Sequence, residues 1–520
     1  MRLAATWDHD RRLGHPELEG LPSLEACIRA TTARVRDVLP ADRAAVVDGD
    51  VRLTGDELES RVRRLAAGLA ARGVGRGDAI CFQLPSWWET IAVFRACWTL
   101  GAVASPIHHL AAHTDVERIV EEVQPVVSIA AAGLPGAALS GVVVARGDGA
   151  PHSAGSFEAL LEHGEHDGVD AEPDDLAVVL FTSGSTGGPK GVLHTHRGLV
   201  YKVRTLLAIH GLDHRDVVLM PAPMAHISGL SNAVLQPGVG GLTSVLMDRW
   251  TPERAVELVR QESVSFMMGP PTFFLTMIAA PNFSPEAVHT MRLISCGGAG
   301  VTPSFAERAG AAFGAVVKRT YGSTEAPVVS TWHAGDPPER AASSDGRAAG
   351  PIRIRIVDPD TGEDRPAGEV GEVWVQGPEL FVGYADGRRN EGTITADDWF
   401  RTGDLGRLDD GWLHITGRIK DLIIRGGENI SASEVEHLLE AHPAVDHAVA
   451  VGFPDDRLGE RVCAFVVAPG GFDLDECRRW FESNGATKFT WPERVVVLDA
   501  FPTLAAGKAD REALRRLARS

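Results

Sequence analysis

The 520-residue chain is short of several things, and each scarcity closes a class of explanation. It has six cysteines, Cys27, Cys81, Cys97, Cys296, Cys463 and Cys477, with no C-x-x-C pair among them. That excludes a disulfide framework and a zinc-finger spacing, and predicts buried, reduced thiols. Positive charge is scarce too: 51 Lys and Arg against 70 Asp and Glu leave a net −19. A protein that coats nucleic acid or an anionic membrane leans the other way. Any anionic ligand must therefore be held by local donors against an unfavourable net field. The histidines make no metal pattern: His108-His109 and His194-x-His196 lack further ligands at zinc spacing, and no H-E-x-x-H occurs.

Long apolar runs are also few. Residues 123–145 (VQPVVSIAAAGLPGAALSGVVVA) carry no charge and are long enough to cross a bilayer. They also hold Pro125, Gly133, Pro135, Gly136 and Gly141, which predicts two short buried strands around a Gly-Pro turn instead of a membrane span. Near the start, no apolar stretch follows the basic residue, so no secretory signal is expected and the expected compartment is the cytoplasm.

What is present is an ordinary globular composition, 44% hydrophobic and 23% charged, long enough for about three structural units. Helical and apolar stretches alternate, the pattern of a mostly parallel sheet covered by helices. Thr54 and Glu57 form a T-x-x-E capping box ahead of the stripe Leu58, Val62, Leu65 and Leu69. Residues 174–181 (DDLAVVLF) predict a buried strand, and further strands are expected near 217–220, 243–247, 264–268 and 291–295. From 331 to 350 the composition shifts to small residues, Pro and charge. Beyond it, period-two alternation predicts a small antiparallel barrel or sheet. The stretch GRIKDLIIRGGENI at 417–430 restarts the pattern as a hairpin, with a helix expected at 433–441. The expected class is α/β. A large N-terminal domain of helix-covered, mostly parallel sheets spans 1–419, with a barrel-like subdomain at 341–419. A small mobile α+β domain spans 420–520.

The sharpest local feature is TSGSTGGPKG at 182–191. Its glycines let backbone N–H groups converge on an anion, its hydroxyls add donors, and Lys190 adds a charge. A loop that leaves a buried strand and opens a helix suits phosphate, and a helix is expected from about His196. It is not a Walker A loop: the Gly507-Lys508 pair is followed by Ala509, and no G-x-G-x-x-G occurs.

LFTSGSTGGPKGV at 180–192 resembles the signature loop of the adenylate-forming superfamily, which includes acyl-CoA synthetases, peptide-synthetase adenylation domains and firefly-type luciferases. YGSTEA at 321–326, RTGD at 401–404, GRIKDLIIRGGENI at 417–430 and the segment around Lys508 resemble four further motifs, in the family order across roughly residues 50–515. The resemblance implies a two-step ligase using ATP, Mg²⁺ and CoA. A carboxylate attacks the α-phosphorus to give an acyl-adenylate and pyrophosphate; a thiol then displaces AMP. In the first step an anion approaches a polyanion. Two unit charges about 4 Å apart at an effective ε near 20 repel by roughly 4 kcal/mol, which positive groups must cancel.

The likeness distributes these tasks. Thr182, Ser183, Gly184, Ser185, Thr186, Gly187 and Lys190 would cradle the phosphates, and Glu325 with Thr186 would hold Mg²⁺. Thr324 would donate to the α-phosphate, and Lys508 would neutralise charge in adenylation. Tyr321 would stack on adenine beside Gly322 and Ser323, with the backbone of Gly298, Ala299 and Gly300 around the adenine edge and the acyl carbonyl. Asp404 would accept from the ribose hydroxyls and Arg418 would contact ribose and phosphate; a mutual ion pair between these two is the alternative. Lys420 matches the hinge, and Gly426 and Gly427 the thiol tunnel. His226 matches the gate of the acyl pocket, with Ile227, Ser228 and Gly229. Ile227 stands where amino-acid-activating members carry Asp, which disfavours an α-amino acid, and the small residues suggest a roomy pocket. Residues 84–107 resemble ligases for alicyclic and medium-chain acids.

The expected partner is a hydrophobic, non-amino carboxylic acid; an oligomer is compatible with everything above. Alternatives are an acid-to-carrier-protein ligase, a thioligase acting on a preformed acyl-adenylate, and a non-catalytic nucleotide-binding module. The last should lack Lys508 or Glu325, and both are present.

Overall fold

The computed structural model describes residues 15–139, 141–144, 146, 155–182, 188–297, 301, 303–503 and 509–519, and the structural statements below concern these residues. They form two compact units. The first comprises the described residues up to 341 together with 346–353 and 376–400; the second comprises 342–345, 354–375 and the described residues from 401 onward. Compactness alone thus groups 354–375 and 401–419 with the C-terminal segments.

The first unit holds two sheets. In one, Val142–Val144, Val127–Ala131, Ala79–Gln83, Val103–Pro106 and Leu176–Thr182 run parallel in that order, and Lys190–Thr195 and Gly383–Tyr384 close it antiparallel. Strands buried on both faces read as continuous apolar runs, which is why AVVLF was legible. The described part of the uncharged 123–145 segment contains two of these strands with a 3₁₀ turn, Pro135–Ala138, between them. Among the described residues no helix is long and apolar enough to cross a membrane.

In the other sheet, Val316–Tyr321, Leu293–Gly297, Phe266–Gly269, Val217–Met220, Thr243–Leu246 and Ala44–Asp48 lie parallel, with Val51–Thr54 antiparallel at the edge. The capping box forms as the sequence predicts: Thr54 N–H donates to Glu57 at 2.8 Å, and Glu57 N–H donates back to Thr54 Oγ1 at 3.2 Å.

Helix Trp88–Thr99 is buried along its whole length. Arg95 inside it is compensated by Glu25, through contacts of 2.6 and 3.1 Å, and by Glu59. The bidentate geometry keeps a buried guanidinium tolerable. All six cysteines are buried and free; burial pushes the Cys81 thiol up to about 12 and Cys463 to about 11.

The second unit carries most of Arg353–Val357, Gly371–Gln376, Phe400–Asp409 and Trp412–Arg418, which lie side by side in one sheet. Its other sheet contains Glu428–Ser431, Leu422–Arg425, Gly459–Val467 and His447–Asp455 in order, with Arg494–Val497 beside Gly459–Val467. Helices Ala432–Glu440 and Arg511–Arg519 pack on His447–Asp455.

Candidate active site

The glycine-rich loop begins where Leu176–Thr182 ends, but it does not open a helix. It returns as the antiparallel strand Lys190–Thr195, with Thr182 opposite Lys190, and helix His196–His210 starts only after that strand. This corrects the expected strand-to-helix turn. KGVLHT pairs edge to edge with the preceding strand, and Thr195 caps the helix by accepting from Gly198 N–H. Lys190 therefore stands at the start of a paired strand, and the helix begins only six residues further on. Ser183, Gly184, Ser185, Thr186 and Gly187 lie outside the described residues, as do Gly298, Ala299, Gly300 and Lys508.

Lys190 is brought to the 321–326 motif by a residue that sequence reasoning missed. Tyr384, in the short strand Gly383–Tyr384, pairs with Val192 across the hairpin. Its ring lies under Lys190 Nζ at 5.7 Å, and its hydroxyl donates to Glu325 Oε1 at 2.9 Å. Burial, with the Glu325 charge beside it, raises the phenol well above its ordinary range, so it stays a donor. The available signal was scarcity: Tyr384 is one of three tyrosines in the chain.

The backbone around Glu325 is fixed on three sides. Glu325 C=O accepts from Phe381 N–H at 2.8 Å, and Thr324 C=O meets His194 Nε2 at 2.8 Å. Ser323 turns back on Ala326: its N–H donates to Ala326 C=O at 3.0 Å, and its hydroxyl accepts from Ala326 N–H at 3.1 Å. Gly322 is required, because a Cβ there would lie 2.4 Å from Val328 N. Tyr321 ends its strand opposite Ser330, and Gly297 admits Thr320 C=O to 2.4 Å of where a Cβ would be. Val328, a β-branched residue, is held at φ +56°. Buried Lys202 clamps it, with Nζ 2.5 Å from Val328 C=O and 3.0 Å from Glu379 Oε1. Positive-φ backbone held by a buried ion pair beside a motif marks a place where geometry is imposed.

A Mg²⁺ ion binds through one or two carboxylates plus substrate phosphates and water. Glu325 fits that mode: among the described contacts its Oε1 is engaged by Tyr384 and no described group engages Oε2. No group of three or more ligating side chains that could form a cage occurs among the described residues.

His226 precedes the short helix Ile227–Leu230, and its ring lies 4.9 Å from that of His108, which stacks on His109 at 4.9 Å. The expected room at Gly229 is absent. A Cβ there would fall 2.0 Å from Pro223 C=O, so backbone fills the space and this glycine serves packing. Ile227 and Ser228 are half-buried.

In the second unit, Asp404 and Arg418 face each other across adjacent strands and form an ion pair at 2.8 Å, the alternative that the sequence left open. The RTGD segment, within the strand Phe400–Asp409, is anchored by Glu372, which sequence reasoning also missed. It accepts from Arg401 at 2.9 Å, from Gly403 N–H at 3.2 Å and from Trp374 Nε1 at 2.8 Å. Gly426 and Gly427 form the two-residue tip of the hairpin Leu422–Arg425/Glu428–Ser431, at φ +61° and +93°. That backbone demands glycine-like residues whatever else passes by. Lys420 lies in a 3₁₀ turn, Ile419–Asp421, between two strands.

Comparison with known proteins finds the AMP-binding enzyme family matching residues 34–385 and the AMP-binding enzyme C-terminal domain matching 434–508. A medium-chain fatty-acid–CoA ligase of Escherichia coli (strain K12) is 32% identical over 542 residues, covering 99% of this chain and 94% of that one. A 2,3-dihydroxybenzoate-AMP ligase of Bacillus subtilis (strain 168) is 31% identical over 498 residues, covering 91% and 90%. Among solved structures, ATP-bound MatB from Rhodopseudomonas palustris superposes with a TM-score of 0.85 at 27% identity, covering 94% of this chain and 99% of that one.

Proposed function

The chain belongs to the AMP-binding enzyme family, and from that premise we propose that it is an AMP-forming acid–thiol ligase that converts a hydrophobic, non-amino carboxylic acid to its CoA thioester. The observation that carries the reading is the convergence of Lys190, Tyr384 and Glu325 beside the glycine-rich hairpin. Through Tyr384, three segments distant in sequence bring one cation and one carboxylate near each other in a protein of net charge −19, which supports a triphosphate and its metal as the ligands.

In the first half-reaction the substrate carboxylate attacks the α-phosphorus of ATP and pyrophosphate leaves. Lys190 and the loop donors Thr182, Ser183, Ser185 and Thr186 hold the departing phosphates. Thr324 donates to the α-phosphate, its position fixed through its backbone by His194. Tyr321, Gly322 and Ser323, with Gly298, Ala299 and Gly300, hold the adenine. Glu325 and Thr186 would hold Mg²⁺, which when bound neutralises charge on the phosphate oxygens. Lys508 offsets charge on the bridging oxygen.

For the second half-reaction, residues 420–520 act as a lid hinged at Lys420. Rotation withdraws Lys508 and brings Gly426 and Gly427 to the thiol path, while Asp404 and Arg418 exchange their mutual pair for contacts with ribose and phosphate. His226 gates the acyl pocket. The medium-chain fatty-acid relative and the character of residues 84–107 support an aliphatic or alicyclic acid.

Pyrophosphate release measured against a panel of carboxylic acids, with and without CoA, tests this. We expect acid-dependent release, with multiple turnovers once CoA is added. Release without any gain from CoA would move the acceptor to a carrier protein, and no release with any acid would remove the ligase reading.

A further inference from the structure

The histidine cluster beside the proposed acyl gate contains a buried hydrogen-bond donor with no acceptor among the described residues. His108 Nδ1 accepts from the backbone N–H of Leu110 at 3.0 Å. Burial and the neighbouring His226 and His109 rings push its pKa down to about 3, so the ring is neutral at physiological pH. A neutral imidazole whose Nδ1 is an acceptor carries its proton on Nε2. That N–H is buried and has no partner among the described residues.

The ring is held in place. Gln83 Nε2 donates to the His108 carbonyl at 3.1 Å, while Gln83 Oε1 accepts from Gly136 N–H at 2.7 Å, so the anchor is itself tied at both ends. The ring of His109 lies nearly parallel, at 17° and 4.9 Å, and that of His226 lies at 4.9 Å on a 56° tilt. Tautomer, position and plane are all fixed before any ligand arrives. The buried Nδ1 of His109 likewise has no partner among the described residues. A buried donor left unmade costs about 1–3 kcal/mol. A fold that fixes one so firmly gains that energy back when a ligand atom accepts from it.

We propose that His108 Nε2–H is a specificity-determining donor for the acyl tail, and that the acid this enzyme takes carries a neutral oxygen acceptor — a ketone, hydroxyl or ether oxygen — on an otherwise apolar body. The acceptor is neutral because the charged group felt at His109, among the described residues, is the anion Asp248. A second carboxylate would face that anion and two uncharged rings. The proposal rests on the acyl-adenylating reading and refines its substrate.

The test compares matched acids that differ by one oxygen, such as cyclohexanecarboxylate with its 3-oxo and 4-oxo derivatives, and linear acids with their keto and hydroxy counterparts. The readout is kcat/KM for pyrophosphate release. The wild-type enzyme is expected to favour the best-placed oxygenated member by about 5- to 150-fold, the ratio equivalent to one such hydrogen bond. His108→Phe keeps the stacked ring and removes the donor. It should bring the ratio close to one, with a melting temperature equal to or above wild type because a buried unpaired polar atom is gone. His108→Asn, whose amide can accept from Leu110 N–H and still donate, should retain part of the preference, and it serves should His108→Phe fail to fold. Equal treatment of every pair by the wild type, or a ratio that survives in His108→Phe, overturns the proposal. No pyrophosphate from any acid is a different outcome: it removes the adenylating reading and this refinement with it.

Discussion

Glu325 shows how a motif residue depends on residues outside its motif. YGSTEA is legible in the sequence because it resembles a motif of the adenylate-forming superfamily. Tyr384, which holds one Glu325 oxygen, is 59 positions away and sits in no run that periodicity distinguishes. His194 and Glu372 were invisible for the same reason: each acts through a contact that exists only once strands pair. Tyr384→Phe removes a hydrogen bond to a charged group, worth about 1.5–3 kcal/mol. Acid-dependent pyrophosphate release should slow by roughly tenfold or more, with a higher Mg²⁺ requirement; an unchanged Mg²⁺ titration would detach Tyr384 from the metal-holding role proposed for Glu325. A second residue gives a pH dependence. Burial raises Glu440 from 4.5 to about 7, a shift worth roughly 3 kcal/mol between protonation states. Since the folded carboxyl holds its proton more tightly than the unfolded one, its favourable contribution is complete below about 4.5 and is lost as pH rises through about 7. Denaturation midpoints should fall over that window in the wild type, and Glu440→Gln should flatten the decline.

Elements were read from the sequence with uneven success, for physical reasons. Buried parallel strands announce themselves as apolar runs, and the Gly426-Gly427 tip announces a two-residue hairpin. The strand Lys190–Thr195 did not, because KGVLHT offers only the pair Val192 and Leu193 between a glycine-rich loop and polar residues, without alternation, and stands directly before a helix. The Gly229 expectation failed because smallness in sequence cannot separate a pocket from close backbone packing. Helix His196–His210 does more than cover a sheet: through Lys202 it fixes Val328 at positive φ and, with Glu379, ties down the segment that leads to Phe381 and Tyr384. Lys202→Met strands a buried carboxylate and should cost about 3–5 kcal/mol of unfolding free energy. Adding Glu379→Gln should recover much of that loss, as read by denaturant titration of the two single variants and the double. Additive losses in that cycle would mean that the two side chains are not coupled.

At the scale of the whole molecule, the proposed function asks a chain of net charge −19 to hold a polyanionic substrate with a few local cations. The fold class and the family were legible because five motifs keep their order over most of the chain. The acid was not, because the walls proposed for the pocket come from segments such as His108-His109 and His226 that only the fold brings together. The two half-reactions need different surroundings, and the C-terminal residues from Lys420 carry the groups proposed for each. Lys508→Ala should slow adenylation by about 10²–10³, in line with losing one transition-state donor, while largely sparing thioester formation from added acyl-adenylate. Equal losses in both steps, each followed separately by rapid quench, would contradict a lysine dedicated to the first.

The measurement that bears most directly on the central claim is exchange of labelled pyrophosphate into ATP in the absence of CoA. Reversible formation of an enzyme-held acyl-adenylate predicts exchange that requires the acid, is present in wild type and collapses in Lys508→Ala. Exchange absent with every acid, from protein that turns over no acid with CoA either, would contradict adenylation as this protein's chemistry.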